Sequence, residues 1–380
     1  MTVLETAAAS ADRTIELLEG LVNLDSASDH AEGVNRVGGV LAGRLRSLGF
    51  AVEMVPAPPP YGKHVVGRLG PGPHEALIVG HMDTALPRGT VDKRPFSQDG
   101  ERMFGVGVHD MKAGIACSIV ALEALLSVHP DVGGIAVLFN SDEEPGSPHS
   151  RQVLRDLAGE TKRALILEPG SERAQVTTGR KGVGIFHLRV TGIASHAGSE
   201  PERGASAVHD LNHKALCCLG LADPALGTTV NIGAIRGGTY PYVVAERAEM
   251  DLDVRVWSTE EAQRVEAGLE AVSGMSFVPR TQTELRGSFH RPPMEHTPAN
   301  QEVFEDFRQV AAEIGLDLEA SVRGGASDGN LTSAWGVPTL DGLGPAGGGS
   351  HGDDEFIYAE SLAERTCLLA LALERYITRP

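Results

Sequence analysis

Five short segments of this chain place histidines and carboxylates where the backbone turns out of apolar runs. The first is His81-Met82-Asp83, which follows the apolar run 76–79. Residues i and i+2 leaving a strand point to the same side, so Asp83 can orient the imidazole of His81. That is the carboxylate–histidine pairing found behind metal ions. The second is the Gly105–Lys112 loop, in which glycines free the backbone to present Asp110 ahead of a helix. The third is Asp142-Glu143-Glu144, after an apolar run that ends at Asn140. Two adjacent carboxylates directly after a buried strand are costly unless a cation neutralises one of them. The fourth is Glu168-Pro169 and the fifth is Ser350-His351-Gly352-Asp353, which follows a glycine-rich loop. Singly, each reads as a surface or capping residue. Together they supply two histidines and several carboxylates, the mixed nitrogen and oxygen set that suits zinc.

The elements that must position these residues are legible from period. Apolar spacing predicts two N-terminal helices, the second stopped by Gly49. Strand-like runs follow at 51–55, 64–69, 76–79, 135–139 and 163–167, with a helix over 114–128 ended by Pro130. Apolar strands alternating with helices predict an α/β fold, a mixed and largely parallel sheet covered by helices. In such sheets, sites form at the carboxyl ends of the strands, which is where the five segments fall. The pattern changes near Lys181. The stretches 184–191 and 249–256 alternate as half-exposed strands, a helix lies around 205–221, and Ser258-Thr259-Glu260-Glu261 is a capping box. The expected organisation is a catalytic domain, 1–180 and 287–380, interrupted by a smaller α+β domain at 181–286.

Taken in order, the motifs GHMDT, GVGVHDMKAG, NSDEEPGS, LEPGS, SHAG and GGASD…GGGSHGD resemble the carboxypeptidase G (glutamate carboxypeptidase) branch of a di-zinc metallopeptidase family. That family includes acetylornithine deacetylase, succinyl-diaminopimelate desuccinylase and aminoacylase. The resemblance runs from about residue 12 to the C-terminus. It implies two zinc ions per chain, with manganese or cobalt as substitutes, bridged by Asp110. His81 and Glu168 would complete one metal, Glu144 and His351 the other. Glu143 would be the general base and acid for a metal-activated water, and Asp83 would orient His81. His196, in the SHAG segment, resembles the lid-domain histidine that reaches a partner subunit's active site and polarises the scissile carbonyl. The 181–286 insert would then be a lid and dimerisation domain.

The implied substrate is a small amide, an N-acyl amino acid or a C-terminal amino acid, such as an N-acyl or N-aroyl glutamate or aspartate. Its carboxylate would be gripped by an arginine, with Arg291 first and Arg286 and Arg323 behind it, since a guanidinium can bind a carboxylate with two parallel bonds. One departure bears on the substrate. Where many relatives carry an Asn-x-Ile-Pro segment, this chain has Tyr242-Val243-Val244-Ala245. Tyr242 could replace the asparagine's hydrogen bond, stack on an aromatic acyl group, or pack within the lid. The departure keeps open a second enzymatic reading, a di-metal amidohydrolase acting on a non-peptide C–N bond. A non-catalytic binding protein on the same fold is disfavoured because every implied ligand and Glu143 are present.

Composition sets outer bounds. A net charge of −18 disfavours nucleic acid and anionic membranes as partners, because both need a positive field. The four cysteines lack C-x-x-C spacing, and read as buried thiols of a reducing, cytoplasmic compartment. No signal peptide is evident, and no apolar run is expected to reach the ~18–20 residues that span a bilayer.

Overall fold

The structure, a computed structural model, describes residues 1–170 and 172–378. The chain divides into two units: 1–179 with 296–323 and 327–380, and 180–295 with 324–326.

The first unit is built on a six-stranded mixed sheet in the order Ala51–Val55, His64–Leu69, Ile135–Asn140, Ala76–His81, Ala164–Ile166, Thr339–Leu340. The four strands from Ile135–Asn140 onward run parallel, and the first two join antiparallel at one edge. The central strands are buried on both faces because helices cover both. Ala76 and Ile78 enter one apolar cluster, and Leu77 and Val79 enter the other. This is why those strands read as continuous apolar runs and not as alternation. Ala113–Val128 is the central helix of the larger cluster and packs against Ala359–Thr378. The segment Val108–Val128 is in fact long and apolar enough to cross a membrane by composition, contrary to the sequence expectation; it is mostly buried, as a core helix. An element buried on every side has the same composition as a membrane span.

The second unit is α+β. Its antiparallel sheet has the order Thr229–Gly237, Arg247–Val256, Gly182–Thr191, Gln282–Arg291. One face alternates into a cluster holding Leu188, Val190, Met250, Leu252 and Val254, covered by the helices Ala207–Leu219 and Thr259–Gly274. Ser258 caps the second helix by accepting from the Glu261 backbone N–H; the other half of the expected capping box does not form, because the Glu261 carboxylate accepts from Thr228 and Arg264 instead. The strand Gln282–Arg291 continues through position 286, and all ten of its residues belong to this sheet.

Candidate active site

Each acidic or histidine motif of the first unit leaves a strand of the parallel sheet or a loop beside it. His81 is the last residue of Ala76–His81, Glu143 and Glu144 follow Ile135–Asn140, and Glu168 follows Ala164–Ile166. Asp110 sits ahead of the helix Ala113–Val128, and its peptide bond to Met111 is cis. Two glycines permit this arrangement. Gly107 has φ +70, and a Cβ there would lie 2.6 Å from Thr84. A Cβ at Gly114 would lie 2.3 Å from the carbonyl oxygen of Leu167, so the helix can lie against the chain just before Glu168.

These residues converge. Nε2 of His81 is 3.0 Å from Oδ1 of Asp110 and 3.7 Å from Oε1 of Glu168. Nε2 of His351 is 3.2 Å from Oε2 of Glu144 and 3.4 Å from Oδ2 of Asp110. The two oxygens of Asp110 therefore face two different histidines. Among the described residues, two groups have donor atoms close enough to share a metal ion: His81, Glu143 and Glu168, and His81, Asp110 and Glu144. Nδ1 of His81 lies 2.9 Å from the backbone oxygen of Asp83 and 3.6 Å from its Oδ1. The carboxylate of Asp83 also accepts the backbone N–H groups of Glu143 and Glu144, at 3.2 and 3.3 Å, and the hydroxyl of Ser28 at 2.7 Å.

The electrostatics show how much negative charge this cluster holds. Burial pushes the His81 ring down, but hydrogen bonds and charge from Asp110 and Asp83 outweigh it and hold the ring well above the usual histidine range. Hydrogen bonds to Asp110 and Glu144 raise His351 to about 10. Burial raises the Asp110 carboxyl, but bonds from His351 and His81 hold it below the usual carboxylate range. Oε1 of Glu144 is buried with no hydrogen-bond partner among the described residues. Five carboxylates, those of Asp83, Asp110, Glu143, Glu144 and Glu168, thus outnumber two imidazoles at one sheet edge. A buried acceptor without a donor, in an acid-rich set of N and O ligands, fits divalent cations.

Sequence reasoning missed Glu355. It is buried, and it accepts the backbone N–H groups of Gly107, His109 and Asp110 at 2.8 to 2.9 Å, fixing the loop that presents Asp110. Burial pushes its carboxyl up, against those three bonds. Nothing in its local sequence marks this role, since its partners lie about 245 positions away.

The remaining predicted residues are spread over both units. Arg323, in the first unit, donates to the Pro169 carbonyl at 3.4 Å. In the second unit, Arg291 is 3% exposed, whereas Arg286 is exposed and paired with Glu284 at 2.7 Å. His196 is exposed, and its Nδ1 accepts the N–H groups of Gly198 and Ser199 at 3.2 and 3.1 Å. Those bonds place the neutral ring's proton on Nε2. Val243 pairs with His196 through a β-bridge, and beside it Tyr240 and Tyr242 stack at 5.4 Å with planes 7° apart, both exposed.

Comparison with known proteins agrees with this geometry. Residues 77–375 match the model of Peptidase family M20/M25/M40. The chain is similar to carboxypeptidase G2 of Pseudomonas sp. (strain RS-16), 29% identical over 94% of this chain and 87% of that one. It is similar to succinyl-diaminopimelate desuccinylase of Acidovorax ebreus (strain TPSY), 30% identical over 83% and 86% of the two chains. Its fold is that of a tripeptidase from Staphylococcus aureus, with a TM-score of 0.80, 18% identity, and coverage of 97% and 99%. The chain therefore belongs to Peptidase family M20/M25/M40, as a metal-dependent hydrolase of amide bonds.

Proposed function

We propose that this enzyme is a di-zinc hydrolase of the glutamate carboxypeptidase type. It would cleave the amide that joins a small acyl or aroyl group to an amino acid with a free α-carboxylate. The observation that carries the reading is Asp110, whose two carboxylate oxygens face His81 and His351. Asp110 would bridge the metals, with His81 and Glu168 on one side and Glu144 and His351 on the other. When bound, the ions supply Lewis acidity and lower the pKa of water toward neutrality.

The chain's own residues do the rest. Asp83 accepts from the imidazole of His81 with its backbone oxygen and holds the backbone of Glu143 and Glu144 with its carboxylate. Glu143, held beside His81 and Glu168, takes the proton of the attacking water and returns it to the leaving nitrogen. His196 offers its Nε2–H to the oxyanion that develops on the scissile carbonyl, a contact worth about 3–4 kcal/mol by comparison with oxyanion-hole donors. It would do so from a partner subunit, with the second unit as the lid and dimerisation domain. The buried guanidinium of Arg291 is the first candidate to hold the substrate carboxylate. The exposed Tyr240–Tyr242 stack supports a planar acyl group, because aromatic faces stack on one another. Four free thiols, three of them buried, are in keeping with a reducing, cytoplasmic setting.

The decisive experiment compares N-aroyl glutamates with the α-carboxylate free or amidated, using zinc-restored enzyme. Cleavage of the free acids alone is expected. Equal cleavage of the amidated forms, or turnover only of compounds that release no amino acid, would replace this reading with the non-peptide amidohydrolase.

A further inference from the structure

The GGASD segment has no part in the chemistry above, yet its aspartate is almost wholly buried. Asp328 opens the helix Asp328–Ala334 and is 2% exposed. Its Oδ2 accepts from the side-chain amide of Asn140 and its Oδ1 from the hydroxyl of Ser147, at 2.6 Å. Asn140 ends the strand Ile135–Asn140, and Ser147 sits at φ 56, both fully buried. Between them lies the segment 141–146, which carries Glu143 and Glu144. One carboxylate from a distant helix thus ties both ends of that segment.

The other contacts of the segment are complementary. The N–H of Ser147 donates to the Asp142 carbonyl, and that of Gly146 to the Glu143 carbonyl, both at 2.7 Å. Asp83 holds the tip by accepting the N–H groups of Glu143 and Glu144, so the tip is fixed from one side and the base from the other. Asp328 itself is placed by Ser327, whose hydroxyl donates to Asp341 at 2.5 Å. The chemistry at 328 is specific: both partners donate to the carboxylate, so it makes two charge-assisted bonds, which are about twice as strong as neutral ones. An asparagine there would make only neutral bonds, and with its oxygen on Asn140 its N–H would meet Ser147, whose hydroxyl would have to turn from donor to acceptor.

We propose that Asp328 is a positioning residue that fixes Glu143 and Glu144 for metal binding and proton transfer. The proposal rests on the roles given to those two glutamates above. The test is D328N, read three ways in the full-length protein. Amide exchange over 141–149 should quicken. Zinc affinity in chelator-treated protein and kcat in zinc-restored enzyme should each fall by about 10–100-fold, the usual range for groups that orient ligands. KM should stay within about twofold, since substrate contacts are untouched. The swapped pair N140D/D328N restores donor–acceptor matching at both bonds, and should recover most of the loss. A folded D328N with wild-type exchange and zinc binding would overturn the proposal, as would a folded swap without recovery. If D328N does not fold, S147A removes one of the two bonds and is read by the same exchange measurement, faster exchange supporting the clamp and unchanged exchange overturning it. If the wild type takes up no zinc and cleaves no amide, the functional reading fails, while exchange over 141–149 still decides the clamp.

Discussion

Glu144→Gln separates metal binding from folding, because the two respond in opposite senses. In metal-free protein the substitution removes the ion pair between Glu144 and His351, 3.2 Å apart, but the histidine side chain is 55% exposed. A pair so open to solvent contributes about 0–1 kcal/mol. Against that, the change removes the charge from a carboxylate whose Oε1 is buried without a partner among the described residues; the amide still leaves a polar atom unpaired there, so only part of the roughly 1–3 kcal/mol cost is recovered. Metal-free Glu144→Gln should therefore be as stable as wild type, or slightly more so. With zinc the order reverses. Wild type held at about 100 times its dissociation constant gains about 2.7 kcal/mol. If loss of a ligand weakens binding about 100-fold, the gain at the same zinc concentration shrinks to about 0.4 kcal/mol. At about 2–4 °C per kcal/mol, the missing part corresponds to roughly 5–9 °C of zinc-induced rise in Tm. Scanning calorimetry on chelator-treated protein, with and without zinc, measures both halves. A Glu144→Gln variant that keeps the whole zinc-induced rise, or that is as destabilised without zinc as with it, refutes the assignment of Glu144 as a ligand.

Glu143→Gln should keep the zinc content and the zinc-induced rise in Tm while kcat falls about 10²–10⁴-fold; metal loss equal to that of Glu144→Gln would show the two roles to be reversed or shared. Mixing inactive Glu143→Gln and His196→Ala subunits should restore part of the activity through heterodimer sites, and a monomer by light scattering would remove the in-trans role of His196. Arg291→Ala should raise KM more than it lowers kcat, as read by Michaelis kinetics on a free-acid substrate. Thiol labelling of native protein at about pH 8 should reach Cys217 first, because burial pushes Cys117 up to about 12 and Cys218 up to about 11. Fast labelling of Cys117 without unfolding would contradict its placement in the core.

The elements were legible because the local signals are local physics. Continuous apolar runs gave the parallel strands, alternation gave the sheet of the second unit, and the 258–261 box gave its helix start. The acid and histidine segments were legible only as a set, since each alone reads as a surface or capping residue, and it is the fold that brings His81, Asp110, Glu144, Glu168 and His351 together. The same local view misjudged the segment Val108–Val128, whose apolar length belongs to a core helix. What sequence could not supply is which groups meet across long separations. Glu355 fixing the Asp110 loop, Asp328 tying the two ends of the Glu143–Glu144 segment, and Asp83 holding Glu143 and Glu144 join positions roughly 60 to 250 residues apart. No periodicity encodes such pairings, because a buried carboxylate is defined by the donors that close around it, and only the folded chain brings those donors there.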